Sequence, residues 1–323
     1  MGAPPWLFLI LLFVIFWLHL MSVWLLLGTT ILGVLDLIKE KANWKTNKAI
    51  SYLPIIFALT INLGVPPLLF LQILYAPFFF SSSILIATLW ISVFFLLMFA
   101  YGMIYAARYG AQKAGQAITY LSLAGITILI ISFIYSNNMS LMIKPEYWQG
   151  LYSVKQNGFN LYPNLPEVIS RWIWVLSACL VMGAALLQKS IRIWALIGAV
   201  LSITGLIIYK SFWTPDIVSS ALVHTALIAD LALAGILAVV AFIPVKNAKI
   251  QAYIVYAWVG LKAMAVVALR HGIREASLNP VYKLSDIPIT LQPVLIVLFV
   301  TATLIAFGIM IWMYIRGRKG LTT

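Results

Sequence analysis

Residues 5–35, PWLFLILLFVIFWLHLMSVWLLLGTTILGVL, carry no charged side chain, and this stretch decides the fold class. A helix needs about 20 consecutive apolar residues to cross the hydrocarbon core of a bilayer, and this run exceeds that length. No basic segment precedes the run and no small-residue cleavage site follows it, so we expect the helix to remain in the mature protein. The run also contains one imidazole, that of His19, whose presence needs a physical explanation.

The composition extends this prediction to the whole chain. Of 323 residues, 63% are hydrophobic and 9% are charged, a balance that excludes a soluble globular domain. Charge-bearing breaks separate about nine apolar spans of helical rather than β-barrel length. The spans are residues 5–37, 49–75, 81–107, 114–143, 166–187, 191–209, 217–243, 251–270 and 288–315. We therefore expect an all-α integral membrane protein in which residues 1–323 form one bundle of about nine transmembrane helices.

The net charge of +13 predicts an orientation in the membrane. Lysines cluster after the first span, at Lys39, Lys41, Lys45 and Lys48. The segment APFFFSSS after the second span, residues 76–83, carries no charge and is predicted to be a turn. Because cytoplasmic loops collect Lys and Arg, we predict an outer N-terminus and a cytoplasmic C-terminus. No soluble region combines basic and aromatic residues, so nucleic acid is not an expected partner.

Two longer connections, residues 144–165 and 271–287, lie on the predicted outer side. The first is rich in Tyr, Trp, Asn and Pro, which fits either a plain aromatic belt at the lipid interface or contact with an external partner. Neither connection is long enough for a soluble catalytic domain. Cys179 is the only cysteine, which excludes a disulfide, covalent haem attachment and a Cys-ligated metal cluster.

Ionisable side chains inside the spans are costly in lipid, so each is a candidate functional residue. Asp230 and Lys262 lie about midway along the seventh and eighth spans, which run in opposite directions. We predict that they form an interhelical ion pair that neutralises both charges. A place in a proton or ion path is the alternative role.

His19 and His224 each allow two interpretations. Each imidazole could hydrogen-bond across a helix contact, with Ser22 taking the second ring nitrogen of His19, or each could ligate a b-type haem between helices. Periodicity does not choose between them. At the outer end of the eighth span, Arg270, His271 and Arg274 could bind haem propionates or a quinone head group, or could form a solvated helix end.

Three stretches follow one another in an order that resembles a known family. They are LHLMSVWLLLGTTILG (18–33), IIFALTINLGVPPLLFLQILYA (55–76) and YPNLPEVISRWIWVLSACLVMGAALL (162–187). Over residues 10–187 the chain resembles the large subunit of the cytochrome bd quinol oxidases, and the likeness is fainter afterwards. The resemblance puts His19 at the family's haem ligand in helix one, at the same spacing from Gly28.

The chain departs from that family where oxygen is reduced. Trp174 stands about where the family's helix-five haem ligand belongs, and tryptophan does not ligate iron. The third span lacks the family's glutamates, and YKSFWTPD (209–216) replaces its long quinol-binding loop. Oxygen reduction is therefore not expected, and an oxidoreductase subunit is expected rather than a stand-alone enzyme.

The resemblance implies a multi-pass subunit of a respiratory complex in the cytoplasmic membrane of a prokaryote. Such a subunit would carry electrons between the quinone pool and other subunits, with c-type cytochromes on the outer side. One haem b would be held by His19, with His224 as a possible second ligand. The alternatives are a haem-free membrane anchor for redox partners and an ion or small-molecule transporter that uses Asp230 and Lys262.

Overall fold

The computed structural model describes residues 4–39, 45, 47–240 and 248–287, and isolated positions between 294 and 312. In these residues the chain forms α-helices joined by short turns, without a β-strand. The helices are α1 (Pro5–Lys39), α2 (Lys48–Leu74), α3 (Ala76–Leu85), α4 (Ala87–Tyr105), α5 (Ala114–Met142), α6 (Trp148–Val154), α7 (Leu165–Leu176), α8 (Cys179–Leu186), α9 (Arg192–Lys210), α10 (Pro215–Ser219), α11 (Ala221–Val240) and α12 (Ala248–Leu278).

Eight helical segments in the described residues are long and apolar enough to cross a membrane. They are α1, α2, α4 with a π-helical turn that extends it to Gly110, α5, the pair α7 and α8, α9, α11 and α12. The prediction of an all-α chain with many apolar spans is confirmed for this part of the protein. The ninth predicted span, residues 288–315, lies largely outside the described residues.

The segment after α2 differs from the expected turn. Residues 76–85 form helix α3, which begins with a proline in its first turn and buries Phe78 and Phe79. The next span begins at Ala87 rather than at residue 81 because the helix is interrupted at Ile86. There the Thr88 N–H donates to the Gly158 carbonyl, 2.9 Å away, so the outer connection caps the start of α4.

Helix α12 continues two turns beyond the predicted end at residue 270, and the outer connection shortens to residues 279–287. Contacts with the end of α2 hold these polar turns in the helix. The Tyr75 hydroxyl donates to the Glu275 carboxylate, and the Tyr282 hydroxyl donates to the Leu74 carbonyl, 2.6 Å away. Hydropathy alone places this segment outside the membrane-spanning helix because it contains Arg274 and Glu275.

Helix α1 is the central element of the bundle and packs against α2, α5, α8 and α12. Its approach to α8 is so close that a Cβ atom at Gly28 would lie 1.8 Å from the Cys179 carbonyl oxygen. The break between α7 and α8 faces the same contact. There the Trp24 indole donates to the Val175 carbonyl, 2.6 Å away. In a continuous helix this carbonyl would instead accept from the N–H of Cys179, four residues later in the chain.

The longer connection after α5 folds onto the end of the bundle. Asn160 donates to the Leu85 carbonyl at 2.9 Å, and Asn137 accepts from the Tyr162 N–H at 2.8 Å. Burial and the neighbouring Glu167 carboxylate raise the pKa of Tyr162, which donates its proton to that carboxylate at 2.9 Å. This connection is therefore an ordered cover over one end of the helices.

Candidate functional site

A long apolar cavity of about 220 Å³ lies among α1, α2, α5, α7 and α12. On α1 its lining runs from Leu12 to Leu26, which is about 21 Å at the rise of an α-helix. The hydrocarbon core of a bilayer is about 30 Å thick, so the cavity extends over much of that depth. Its walls are mostly aliphatic and aromatic, and its polar groups are concentrated at a few positions.

His19 lines this cavity from α1. Its Nδ1 lies 3.1 Å from the Thr60 carbonyl oxygen of α2, so the neutral ring donates its proton there. The expected bond to Ser22 is absent: the Ser22 hydroxyl donates instead to the backbone carbonyl of His19, 2.7 Å away. Within the described residues no protein group hydrogen-bonds Nε2, which leaves that nitrogen available to a ligand.

A glycine creates the space for this imidazole. A Cβ atom at Gly64 would lie 2.8 Å from Cε1 and 3.1 Å from Nδ1 of His19. Any larger residue would therefore push the ring away from α2 and break its bond to Thr60. The position of the His19 ring is fixed by the backbone of α2 on one side and by that hydrogen bond on the other.

Two arginines and a histidine line the cavity toward the N-terminal end of α1. The Arg270 guanidinium carbon lies 4.6 Å from the centre of the Phe16 ring, and the His271 ring centre lies 4.9 Å from that of Phe13. Arg274 lines the same region of α12. The three residues predicted from the sequence are thus brought to one site, three to six positions from His19 along α1.

Arg171 of α7 joins this group, and the sequence analysis missed it. It is buried and donates to the Ser140 hydroxyl at 2.9 Å. Its position one turn inside the fifth predicted span was the signal that could have identified it, because an arginine in a span needs a partner. Two atoms of these residues, Arg270 Nε and His271 Nδ1, are buried with no hydrogen-bond partner among the described residues.

His224 does not join the cavity. The buried positions of α11 around it are Val223, Ala226 and Leu227, and His224 lies on the exposed side of the helix. Residues on that side face away from the bundle, so the structure does not bring His224 to His19. His224 was predicted as a possible second ligand of one iron together with His19. The structure does not place the two imidazoles at one site.

Asp230 and Lys262 meet in a separate buried contact between α11 and α12. Lys262 Nζ lies 2.7 Å from Asp230 Oδ2 and 2.7 Å from the Ser202 hydroxyl. The Trp174 indole donates to the same carboxylate oxygen at 3.0 Å. Trp174 therefore completes a polar cluster at the position where the resemblance would place a second haem ligand.

Comparison with known proteins found no matching family model, no matching curated protein and no matching solved structure. The chemistry of the site is therefore argued from its own geometry. Within the described residues no three His, Cys, Asp or Glu side chains gather to hold a metal ion. A haem iron needs only one or two side chains, since the macrocycle supplies its other ligands.

Proposed function

We propose that this protein is the electron-transferring membrane subunit of a respiratory redox complex, with one b-type haem in the long cavity. The observation that carries the proposal is the state of His19, whose Nδ1 is anchored to the Thr60 carbonyl while Nε2 is free. A ligating histidine commonly donates its other ring N–H to a carbonyl or carboxylate, which fixes the tautomer and orients the ring.

The residues of the cavity suit a haem in three respects. The ring of His19 is held by one nitrogen with the other unbonded, the walls are apolar over about 21 Å of α1, and arginine side chains lie at one end. A porphyrin has the same division between an apolar body and an acidic edge. The side chains of Arg270 and His271 line that end, and one nitrogen of each is buried without a hydrogen-bond partner among the described residues.

A bound haem would supply one-electron redox chemistry, and the chain would tune it. The Thr60 carbonyl orients His19 and increases the basicity of its free nitrogen. The apolar walls exclude water, which favours rapid electron transfer over side reactions. Trp174 stands where the resemblance would place a second haem ligand, and tryptophan does not ligate iron. We therefore propose one haem and no oxygen reduction.

The proposed partners are quinones of a prokaryotic cytoplasmic membrane and protein subunits on its outer side. The cationic end of the cavity is the end that residues 143–164 and 279–287 cover, since Leu12, Met142 and Leu278 belong to one buried cluster there. We propose that this covered end faces outward and receives other subunits of the complex, including c-type cytochromes. The lipid-facing helices hold the complex in the bilayer.

A quinone in the same cavity is the second candidate. An engineered cavity of about 150 Å³ holds benzene, so a volume of about 220 Å³ fits a quinone ring more closely than a whole porphyrin. In that case His19 Nε2, with Nδ1 donating to Thr60, would accept a hydrogen bond from the hydroxyl of the quinol form. The protein would still belong to a redox complex, but its chain would bind the substrate rather than a haem.

The test is a spectrum of membranes that contain the assembled complex, recorded before and after a quinol analogue is added. We expect Soret and α bands of a reduced b-type haem to appear with the wild type and with His224→Ala, and to be absent with His19→Ala. A colourless complex that retains bound quinone would support the second candidate. A colourless complex without quinone would refute both.

A further inference from the structure

The cationic end of the cavity contains an unusual concentration of charge. Arg171, Arg270 and Arg274, called the arginine cluster below, all line the long cavity. The same three residues also surround a small adjoining cavity of about 10 Å³, which is the size of one water molecule or one oxygen-sized group. Three guanidinium groups from two helices therefore converge on one place next to the apolar space.

No carboxylate lies within ion-pair distance of the arginine cluster in the described residues, although the Glu167 charge acts on Arg171 from farther away. The two ion pairs found there join Lys262 to Asp230 and Lys189 to Asp36. The acidic side chains nearest in sequence accept hydrogen bonds from neutral hydroxyls and keep their charges: Glu275 accepts from Tyr75, and Glu167 accepts from Tyr162. Three arginines against these two carboxylates leave an excess positive charge, which is costly in a membrane interior, so the cluster predicts a further negative group.

The arginines are held by contacts that leave donor groups unused. Arg171 is anchored by the Ser140 hydroxyl, and Arg270 and Arg274 lie over the rings of Phe16 and Tyr75. Stacking on an aromatic face uses the plane of a guanidinium and leaves its N–H edge free. The Arg270 side chain lines the cavity, and its Nε is buried without a partner among the described residues.

We propose that the arginine cluster is a receptor for the oxyanion of an amphipathic ligand whose apolar body lies in the long cavity. A planar guanidinium binds carboxylate and phosphate in the same bidentate manner. The carboxylates of a haem and the phosphate of a phospholipid offer this same chemistry. The inference rests on the proposed function only in the haem case, because the excess positive charge favours an anion whichever ligand brings it.

The experiment compares ligands that differ only in the oxyanion. Thermal unfolding of the purified chain in detergent is followed with added haem, haem dimethyl ester, phosphatidylglycerol or diacylglycerol. We expect haem or phosphatidylglycerol to raise the midpoint of unfolding, and the ester and the diacylglycerol to raise it less. In Arg270→Gln the affinity for the oxyanion ligand should fall about tenfold or more, as expected for a lost charged hydrogen bond.

Arg192→Gln is the matched control, since Arg192 is exposed at the start of α9 and is not among the residues that line the cavity. If Arg270→Gln fails to fold, the ester and diacylglycerol comparisons in the wild type still decide the question. Equal stabilisation by each oxyanion ligand and its neutral counterpart would overturn the inference, even where haem binds. Selective stabilisation by phosphatidylglycerol without any haem binding would support the inference and refute the haem proposal.

Discussion

Residues of α2 orient the His19 ring. Its proposed role as a haem ligand can therefore be tested by displacing the ring. The bond to the Thr60 carbonyl selects the tautomer, and Gly64 provides the space beside the ring. The sequence predicts His19 as a candidate ligand from its place in an apolar run. It does not predict Thr60 as the partner, because a backbone carbonyl leaves no signal in residue identity.

Gly64→Ala should displace His19 without removing it. The new Cβ would lie 2.8 Å from Cε1, so the ring must move and its bond to Thr60 must lengthen or break. We expect the haem α band to shift or lose intensity by at least half. The matched control is Gly102→Ala, where nothing lies within 4 Å of the added Cβ and the spectrum should not change. An unchanged spectrum in Gly64→Ala would contradict the assigned ligand.

The buried pair of Asp230 and Lys262 has a different role at the residue scale, which a double-mutant cycle measures. Removing one partner leaves a buried charge, so Asp230→Asn or Lys262→Met should each lower the free energy of unfolding by about 3 kcal/mol or more. The double variant should lose much less than the sum. Asp36→Asn is the control, because the partly exposed pair with Lys189 should contribute about 1 kcal/mol or less.

The same variants show whether this ion pair has only a structural role or also takes part in electron transfer. If Asp230 completes a polar cluster with Lys262, Ser202 and Trp174, a double variant that folds should retain the haem spectrum and the reduction of haem by quinol. Loss of electron transfer in a folded double variant, with haem content unchanged, would instead give this pair a part in the redox mechanism.

The contact between α1 and α8 decides the shape of the bundle at the element scale. Glycines at the crossing allow the backbones to touch: a Cβ at Gly183 would lie 2.3 Å from the Gly28 carbonyl carbon. Small residues at helix contacts allow this kind of approach in membrane proteins. The spans themselves were predictable from hydropathy, but this crossing was not, because nothing in the hydropathy pattern shows which glycine meets another helix.

Gly183→Ala should therefore destabilise the fold by about 1–3 kcal/mol, the usual cost of overpacking, with a lower midpoint of thermal unfolding. Gly115→Ala in α5 is the control, since nothing lies within 4 Å of its added Cβ. Alanine at that helical position should leave the midpoint unchanged or raise it slightly. A Gly183→Ala protein as stable as the wild type would show that α1 and α8 are not in this close contact.

Hydropathy also misplaced the ends of two elements, for a physical reason in each case. The polar end of α12 stays helical because Glu275 and Tyr282 bond to groups at the end of α2. The segment expected to be a turn forms α3 because Phe78 and Phe79 bury their rings there. In both cases a tertiary contact outweighs the local pattern.

At the scale of the whole molecule, the orientation in the membrane is a prediction from charge. Val154 lies in the covered end of the bundle, and Lys113 lies in the connection between α4 and α5 at the opposite end. Cysteine introduced at residue 154 should react with a membrane-impermeant maleimide added outside intact cells. Cysteine at residue 113 should react only after the membrane is permeabilised, and native Cys179 is buried and gives little background.

The reverse labelling pattern would place the cationic end of the cavity in the cytoplasm and remove the proposed site for external cytochromes. The haem proposal would be unaffected, because His19 and its cavity do not depend on the orientation. Topology and cofactor are thus separate claims with separate tests.

Whether His19 holds a haem in the long cavity is decided by the haem content of the protein. The complex, purified with its partner subunits, is assayed for haem b per chain by the pyridine haemochromogen method, with the wild type beside His19→Ala and His224→Ala. We expect about one non-covalent haem per chain in the wild type and in His224→Ala, and none in His19→Ala. Equal haem content in all three proteins, or no haem in the fully assembled wild type, would contradict this expectation.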